Sequence, residues 1–94
     1  MNRNQLQLFV GDKFLIYFPG ESNNIKTEVV GYSSENFIII NAPLIAGIRQ
    51  KAVENQSIIV RYFNEGVVYG FESSLVNYLS KPEPLLFITY PNDI

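Results

Sequence analysis

Apolar and polar residues alternate with a period of two along most of this chain, and turn residues recur about every ten positions. Such alternation is typical of strands with one buried side, and the regular turns favour antiparallel pairing. The pattern predicts strands at residues 13–18, 25–32 and 37–41. The third, FIIIN, is short and β-branched, which favours a strand buried on both faces over a helix.

The clearest hairpin signal is the stretch SIIVRYF-NEG-VVYGFES. A three-residue loop that ends in Gly66 predicts a type I turn, a left-handed residue and a bulge. The strand after this loop extends from Val67 to about Leu79, which is long, and it contains Gly70. Glycine inside a strand often marks a bend, so we expect this strand to bend near Gly70 and to serve both sides of a closed or nearly closed sheet. Gly66 and Gly70 are therefore the expected structural glycines.

The segment APLIAGIRQKAVENQ interrupts the alternation. Pro43 and Gly47 exclude a long helix, although a short helical turn at residues 48–54 is expected. We expect the segment to pack three apolar side chains against the sheet, those of Leu44, Ile45 and Ile48.

A last strand is predicted at residues 85–90, which makes six strands. Six short strands and a covering loop predict an all-β fold, a small antiparallel barrel of six or seven strands. Closure also removes the sheet edges, which would be an aggregation hazard in so apolar a chain. Residues 1–94 are expected to form a single domain, with residues 1–7 as an N-terminal lead-in for which disorder is one interpretation.

The composition agrees with a small folded domain. Hydrophobic residues make up 47% of the chain and aromatic residues 14%, whereas only 17% are charged, the reverse of a disordered segment. The net charge is −2, and the seven basic residues form no stripe of the kind that contacts a phosphate backbone. Nucleic acid is therefore disfavoured as a partner, and a single-stranded nucleic-acid-binding barrel is kept as the alternative function.

Candidate chemistry is sparse. Cys and His are absent, which removes disulfides, thiolate metal sites and imidazole as a base or ligand. The serines have no GxSxG context and the glycines no phosphate-binding spacing. The nine carboxylates fall mostly in turns, where Asp and Glu favour solvation and local hydrogen bonds. We expect no enzyme and no catalytic, metal or cofactor site in this chain, and a carboxylate-only enzyme ranks last.

The aromatic residues of the hairpin allow two interpretations. Tyr62, Phe63, Tyr69 and Phe71 could stack nucleic-acid bases, or they could be ordinary sheet-stabilising residues, which is the favoured interpretation. Arg61 is expected to pair across the hairpin with Tyr69 or with a carboxylate.

Targeting signals are not evident. The start, MNRNQLQLFVG, has no long apolar run and is unlike a secretory signal, and no stretch approaches the ~20 apolar residues of a membrane span. Together with the absence of cysteine, this favours a cytoplasmic location.

Three stretches in order, GDKFLIYFPG, APLIAG and VRYFNEGVVYGFESSLVNYLSKPEPLLFITYPNDI, resemble the N-terminal domain of YcgR-type flagellar brake proteins. This is the domain that precedes PilZ in bacterial cyclic di-GMP receptors. The resemblance covers roughly residues 8–94, and its most specific part is a Gly-aromatic strand, a Pro-spaced linker and a PLLFxxYP strand. It implies a PilZ-like split β-barrel that serves as a non-catalytic regulatory or interaction module, in the control of flagellar motility or a related surface behaviour.

The family's nucleotide-binding motifs are not found in this sequence. Those motifs are RxxxR in the linker and [DN]xSxxG in the PilZ barrel, and Arg49 and Arg61 are not spaced as RxxxR. The resemblance therefore implies that cyclic di-GMP would bind a linker and a PilZ domain beyond this chain. The implied partners are that PilZ domain in cis and, more remotely, flagellar motor or switch proteins.

The tail is the expected interface with such a neighbour. Pro91 cannot donate a ladder hydrogen bond and biases Tyr90 toward an extended conformation, so the last strand should end there and direct the chain away. Residues 91–94 are expected to begin the linker to a PilZ domain, and the docking edge is expected at Tyr90, Pro91, Asn92, Asp93 and Ile94. A frayed terminus is the alternative.

Overall fold

The computed structural model describes residues 7–21 and 24–91 of the chain. No helix in that part of the chain is long and apolar enough to cross a membrane. The secondary structure is six strands and one short helix: β1 (Lys13–Tyr17), β2 (Ile25–Ser33), β3 (Phe37–Asn41), α1 (Ile48–Val53), β4 (Ser57–Asn64), β5 (Val67–Leu79) and β6 (Leu85–Thr89).

The strands close into an antiparallel barrel in the order β1-β2-β3-β6-β5-β4. Closure depends on β5, the longest strand at 13 residues, which pairs with β4 along residues 67–74 and with β6 along residues 75–79. The predicted all-β barrel is therefore confirmed with six strands, as is the prediction that the long strand serves both sides of the sheet.

The period of two places one side of every strand in the barrel interior. The ring of Phe14 lies at the centre of an aromatic group, 5.6 Å from the ring centroid of Tyr62 and 6.1 Å from that of Phe71. The outer side of β3 is only half-buried, although the rings of Phe37 and Phe87 meet there at 5.5 Å. The prediction that β3 is buried on both faces is thus right for one face only. The fully buried residues are mainly aliphatic: Ile16, Val29, Ile38, Ile40, Ile58, Val60, Leu75, Leu86 and Ile88.

The sequence predicted an irregularity of β5 near Gly70, but the register shift of this strand lies elsewhere. Pairing with β4 continues through Gly70 without a register shift, and the bulge falls between Leu75 and Asn77, where β5 already pairs with β6. Gly70 has no positive φ, and a Cβ built there would lie 3.8 Å from the Val60 carbonyl oxygen, an ordinary contact. The strand geometry therefore requires no glycine at this position.

The bulge lies where the segment after α1 holds the β5 backbone. The N–H of Leu75 donates to the carbonyl of Gln56 at 2.9 Å, and the carbonyl of Leu75 accepts a bond from the Asn55 side-chain amide at 3.0 Å. The backbone N–H and the carbonyl of Leu75 are thus both hydrogen-bonded outside the β5–β6 ladder, which is the physical reason for the bulge here.

The β4–β5 turn has two residues rather than three. Asn64 pairs with Val67, and the two turn residues, Glu65 and Gly66, have φ values of 53° and 81°. Positive φ at both positions is typical of the type I′ turn, whose twist matches that of the flanking strands, and no bulge follows it. The positive φ of Gly66 supports its expected structural role.

The segment before β4 forms the expected short helix but not all of the expected packing. Ile45 and Ile48 pack against the core, whereas the side chain of Leu44 is 99% exposed. The Ile45 N–H donates to the carbonyl of Pro43 at 3.1 Å, which closes a tight turn with Leu44 at its apex, so the side chain points into solvent.

Candidate interaction surface

One end of the barrel collects four of the six tyrosines, namely Tyr32, Tyr62, Tyr69 and Tyr90. We call it the tyrosine end. The antiparallel order explains it, because β2, β4 and β6 finish at this end while β1, β3 and β5 begin there. The loop at residues 7–12 also lies here, and the chain leaves the barrel here at Pro91.

Three of these tyrosines, Tyr62, Tyr69 and Tyr90, pack in or against the core, whereas Tyr32 is exposed. The rings of Tyr62 and Tyr69 stack with centroids 5.4 Å apart, and the hydroxyl of Tyr32 donates to the carbonyl of Leu8 at 3.0 Å. Burial raises the pKa of Tyr62 to about 12, and Tyr69 and Asp12 act in the same direction, while a hydrogen bond with the Gln7 backbone opposes them. A phenol with so high a pKa stays protonated at neutral pH, so Tyr62 has the character of a structural residue and not of an acid or base.

Of the seven large apolar side chains in the described residues that are at least half exposed, five lie at the tyrosine end. We call the following five the apolar rim, with their exposed fractions: Phe9 66%, Val10 70%, Phe63 64%, Val67 50% and Val68 56%. Phe63 and Val68 are directly paired on the outer side of the β4–β5 hairpin, and Val10 lies in a turn closed by the Asp12 N–H and the Phe9 carbonyl. Isolated apolar side chains are common on protein surfaces, so it is the grouping of five at one end that makes the apolar rim a candidate interaction surface.

Three carboxylates accompany the apolar rim, one in each turn at this end. They are Asp12, Glu35 and Glu65, and we call them the acidic turns. A cation near this end, the Lys13 ammonium, is 2.6 Å from a carboxylate oxygen of Glu28. The tyrosine end thus combines apolar surface with negative charge.

The model of the family "PilZNR: Flagellar protein YcgR" matches residues 5–91. The chain belongs to this family. The resemblance found in the sequence is therefore confirmed, and it covers the apolar rim and the exit at Pro91. No curated protein matches the chain.

The expected docking edge of this YcgR-family domain is only partly within the described residues. Tyr90 and Pro91 are half-buried at the tyrosine end, where the Tyr90 N–H donates to the carbonyl of Asn36 at 3.4 Å. Asn92, Asp93 and Ile94 lie outside the described residues, so the predicted edge stays a prediction. Sequence reasoning missed the apolar rim, although an apolar pair in the polar lead-in, Phe9-Val10, was a usable signal.

The hairpin aromatics of the YcgR-family domain are mostly interior. Tyr62 and Phe71 are buried and Tyr69 is half-buried, so of the four aromatic residues only Phe63 presents a ring to solvent. The prediction that Arg61 pairs with Tyr69 or with a carboxylate is wrong within the described residues: Arg61 and Tyr69 lie on opposite sides of the sheet, and Arg61 forms no ion pair there. Its guanidinium lies instead over the Tyr17 ring of β1, 5.0 Å from the centroid.

An open cavity of about 370 Å³ lies on the outer side of β1 and β2 and contains the Lys13–Glu28 pair. It is lined by Lys13, Lys26, Thr27, Glu28, Asn41, Ala42 and Pro43. Within residues 7–21 and 24–91, no group of three or more metal-ligating side chains comes together.

Proposed function

We propose that this YcgR-family barrel is a non-catalytic interaction module of a bacterial cyclic di-GMP receptor, and that it docks through its tyrosine end. The observation that carries the proposal is the coincidence of the apolar rim with the chain exit at Pro91. Exposed apolar surface gains free energy when a partner covers it. A partner that follows Pro91 in the same chain is held nearby at an effective concentration of roughly millimolar.

The partner in this proposal is a PilZ domain in cis. Cyclic di-GMP would bind the linker and that domain, so the barrel would need no nucleotide contact of its own. The closed antiparallel barrel supports this role, because a body without free edges can dock without changing its own pairing. The proposed setting is the cytoplasm, with flagellar motor or switch proteins as more remote partners.

Regulation in this proposal is a shift between two arrangements of the barrels. A nucleotide bound between them changes the docked fraction only as far as it binds one arrangement more tightly than the other. The barrel contributes the surface that is covered in one arrangement and exposed in the other.

The experiment follows amide exchange in the longer protein of this proposal, with a PilZ domain after this chain, in the presence and absence of cyclic di-GMP. We expect nucleotide-dependent protection at residues 7–12, 33–36 and 63–68. The double variant Phe63→Ser/Val68→Ser should abolish that change. A matched control, Leu44→Ser/Val53→Ser, removes two comparably exposed apolar side chains at the opposite end and should leave it intact. Equal effects of the two double variants would contradict docking through the tyrosine end.

A further inference from the structure

We infer that the surface docked on the tyrosine end is a cationic protein surface, in which Arg or Lys side chains surround an apolar patch. The inference rests on the proposed docking role and names the chemistry of the partner. Its basis is the apolar rim together with the distribution of charge around it.

The apolar rim and the acidic turns are interleaved along the chain. Val10 is two residues from Asp12, and Glu65 lies in the turn between Phe63 and Val68, which are paired across the hairpin. An apolar centre with charged groups at its margin is the usual anatomy of a protein interface. The charges at such a margin select the partner and raise the rate of encounter.

The described cation nearest this end already has an acidic partner. Of the basic residues in the described part of the chain, Lys13 lies nearest the tyrosine end, whereas Arg61 and Lys26 lie farther away, each paired with Leu15 of β1. The Lys13 ammonium is 2.6 Å from Glu28, and the Arg61 guanidinium lies over the Tyr17 ring. The remaining described cations lie toward the opposite end, in α1 and before β6. Among the described residues, the charges without a counter-charge beside the apolar rim are therefore the carboxylates of the acidic turns.

The negative charge of these carboxylates selects among the classes of partner that could cover the rim. Nucleic acid and anionic membranes carry phosphate and would be repelled. A protein surface that is only apolar would cover the rim but leave three carboxylates without a counter-charge. A protein surface with cations around an apolar patch satisfies both features.

Two of the acidic turns allow the charge to be removed without damage to the backbone. Glu35 and Glu65 have φ values of 68° and 53°, in the left-handed region where Asn is better tolerated than Glu. Glu65→Asn would place the preferred Asn-Gly pair in the type I′ turn. The double variant Glu35→Asn/Glu65→Asn should therefore keep or raise the unfolding midpoint while it removes two negative charges.

The test measures the docked fraction in the longer protein with the proposed PilZ domain, from amide protection at residues 63–68, between about 50 and 500 mM NaCl. We expect the ratio of docked to undocked protein to fall with salt. Glu35→Asn/Glu65→Asn should lower that ratio roughly fivefold at low salt and flatten the salt dependence. Glu54→Gln/Glu83→Gln, an equal change of charge away from the tyrosine end, should leave both unchanged.

The outcomes separate this inference from the docking proposal. Docking that is abolished by Phe63→Ser/Val68→Ser but unaffected by salt and by Glu35→Asn/Glu65→Asn would overturn the cationic partner and leave docking intact. If the wild-type protein shows no docking at all, both the docking proposal and the inference of a cationic partner are wrong. Titrations with phosphatidylserine vesicles and with a single-stranded oligonucleotide test the two other classes of partner, anionic membranes and nucleic acid. Binding of either one that Phe63→Ser/Val68→Ser weakens would also overturn the inference.

Discussion

At the scale of single residues, the two glycines of the β4–β5 hairpin differ in what their backbones require. Gly66 has a φ of 81°, where an L side chain is strained, so Gly66→Ala should lower the free energy of unfolding by roughly 1–2 kcal/mol. Gly70 lies in regular strand, and Gly70→Ala should be neutral or raise stability by up to about 1 kcal/mol. Urea denaturation of both variants measures this, and equal losses would contradict the geometric distinction.

Tyr62 links the packing of the core to pH. Its pKa is raised from 10.0 to about 12 in the folded protein, chiefly by burial, so between these values the unfolded state gives up the phenolic proton first. The stabilisation is fully present below pH 10 and is lost as the pH rises toward 12. We expect the free energy of unfolding to fall over this range, and to fall less steeply in Tyr62→Phe.

Denaturant unfolding at several pH values between 9 and 12 tests the Tyr62 prediction. Tyr17→Phe, a change on the outer side of the barrel, controls for titration of other groups in the same range. A pH profile of Tyr62→Phe that is parallel to the wild type would show that Tyr62 is not the responsible group.

At the scale of elements, the bulge of β5 depends on a residue outside the strand. The Asn55 side chain donates to the Leu75 carbonyl at 3.0 Å, and Asn55 itself has a φ of 53°. We expect Asn55→Ala to cost about 1–3 kcal/mol, because it leaves a part-buried carbonyl without its donor and places Ala in the left-handed region. Thermal unfolding measures the loss. Asn41→Ala is the control, since the Asn41 side chain is exposed and forms no hydrogen bond to the described residues, and a comparable loss there would contradict the prediction.

The elements also show how far sequence reasoning could reach. β3 and α1 were located well because Pro, Gly and polar turn residues bound them and local pattern decides their type. The bulge could not be located, because its cause is a pair of hydrogen bonds that join Leu75 to residues about twenty positions earlier: the Asn55 side chain donates to the Leu75 carbonyl, and the Gln56 carbonyl accepts from the Leu75 N–H. The type of the β4–β5 turn was predicted wrongly. A two-residue loop and a three-residue loop that both end in Glu-Gly have the same sequence and differ only in which residues of the two strands pair.

At the scale of the whole molecule, the chain is expected to bind no cyclic di-GMP by itself. It contains no RxxxR motif, and the guanidinium groups of Arg49 and Arg61 lie over different rings, those of Tyr78 and Tyr17. Isolated guanidinium groups form no bidentate cluster for phosphate and guanine. Titration calorimetry of residues 1–94 should show no heat of binding, whereas a longer protein with the proposed linker and PilZ domain after this chain should bind. Micromolar binding by the isolated chain would contradict this prediction.

By itself, the sequence determined the positions of the short antiparallel strands, the alternation of buried and exposed residues along most of them, and the absence of the family's nucleotide motifs. These properties are local, because a period of two and the chemistry of turns act over a few residues. Only the tertiary structure decided that Phe9, Val10 and the β4–β5 hairpin lie at the same end as the exit at Pro91. That proximity comes from closure of the barrel, which depends on pairings between residues far apart in the chain, and such pairings leave no local pattern to read.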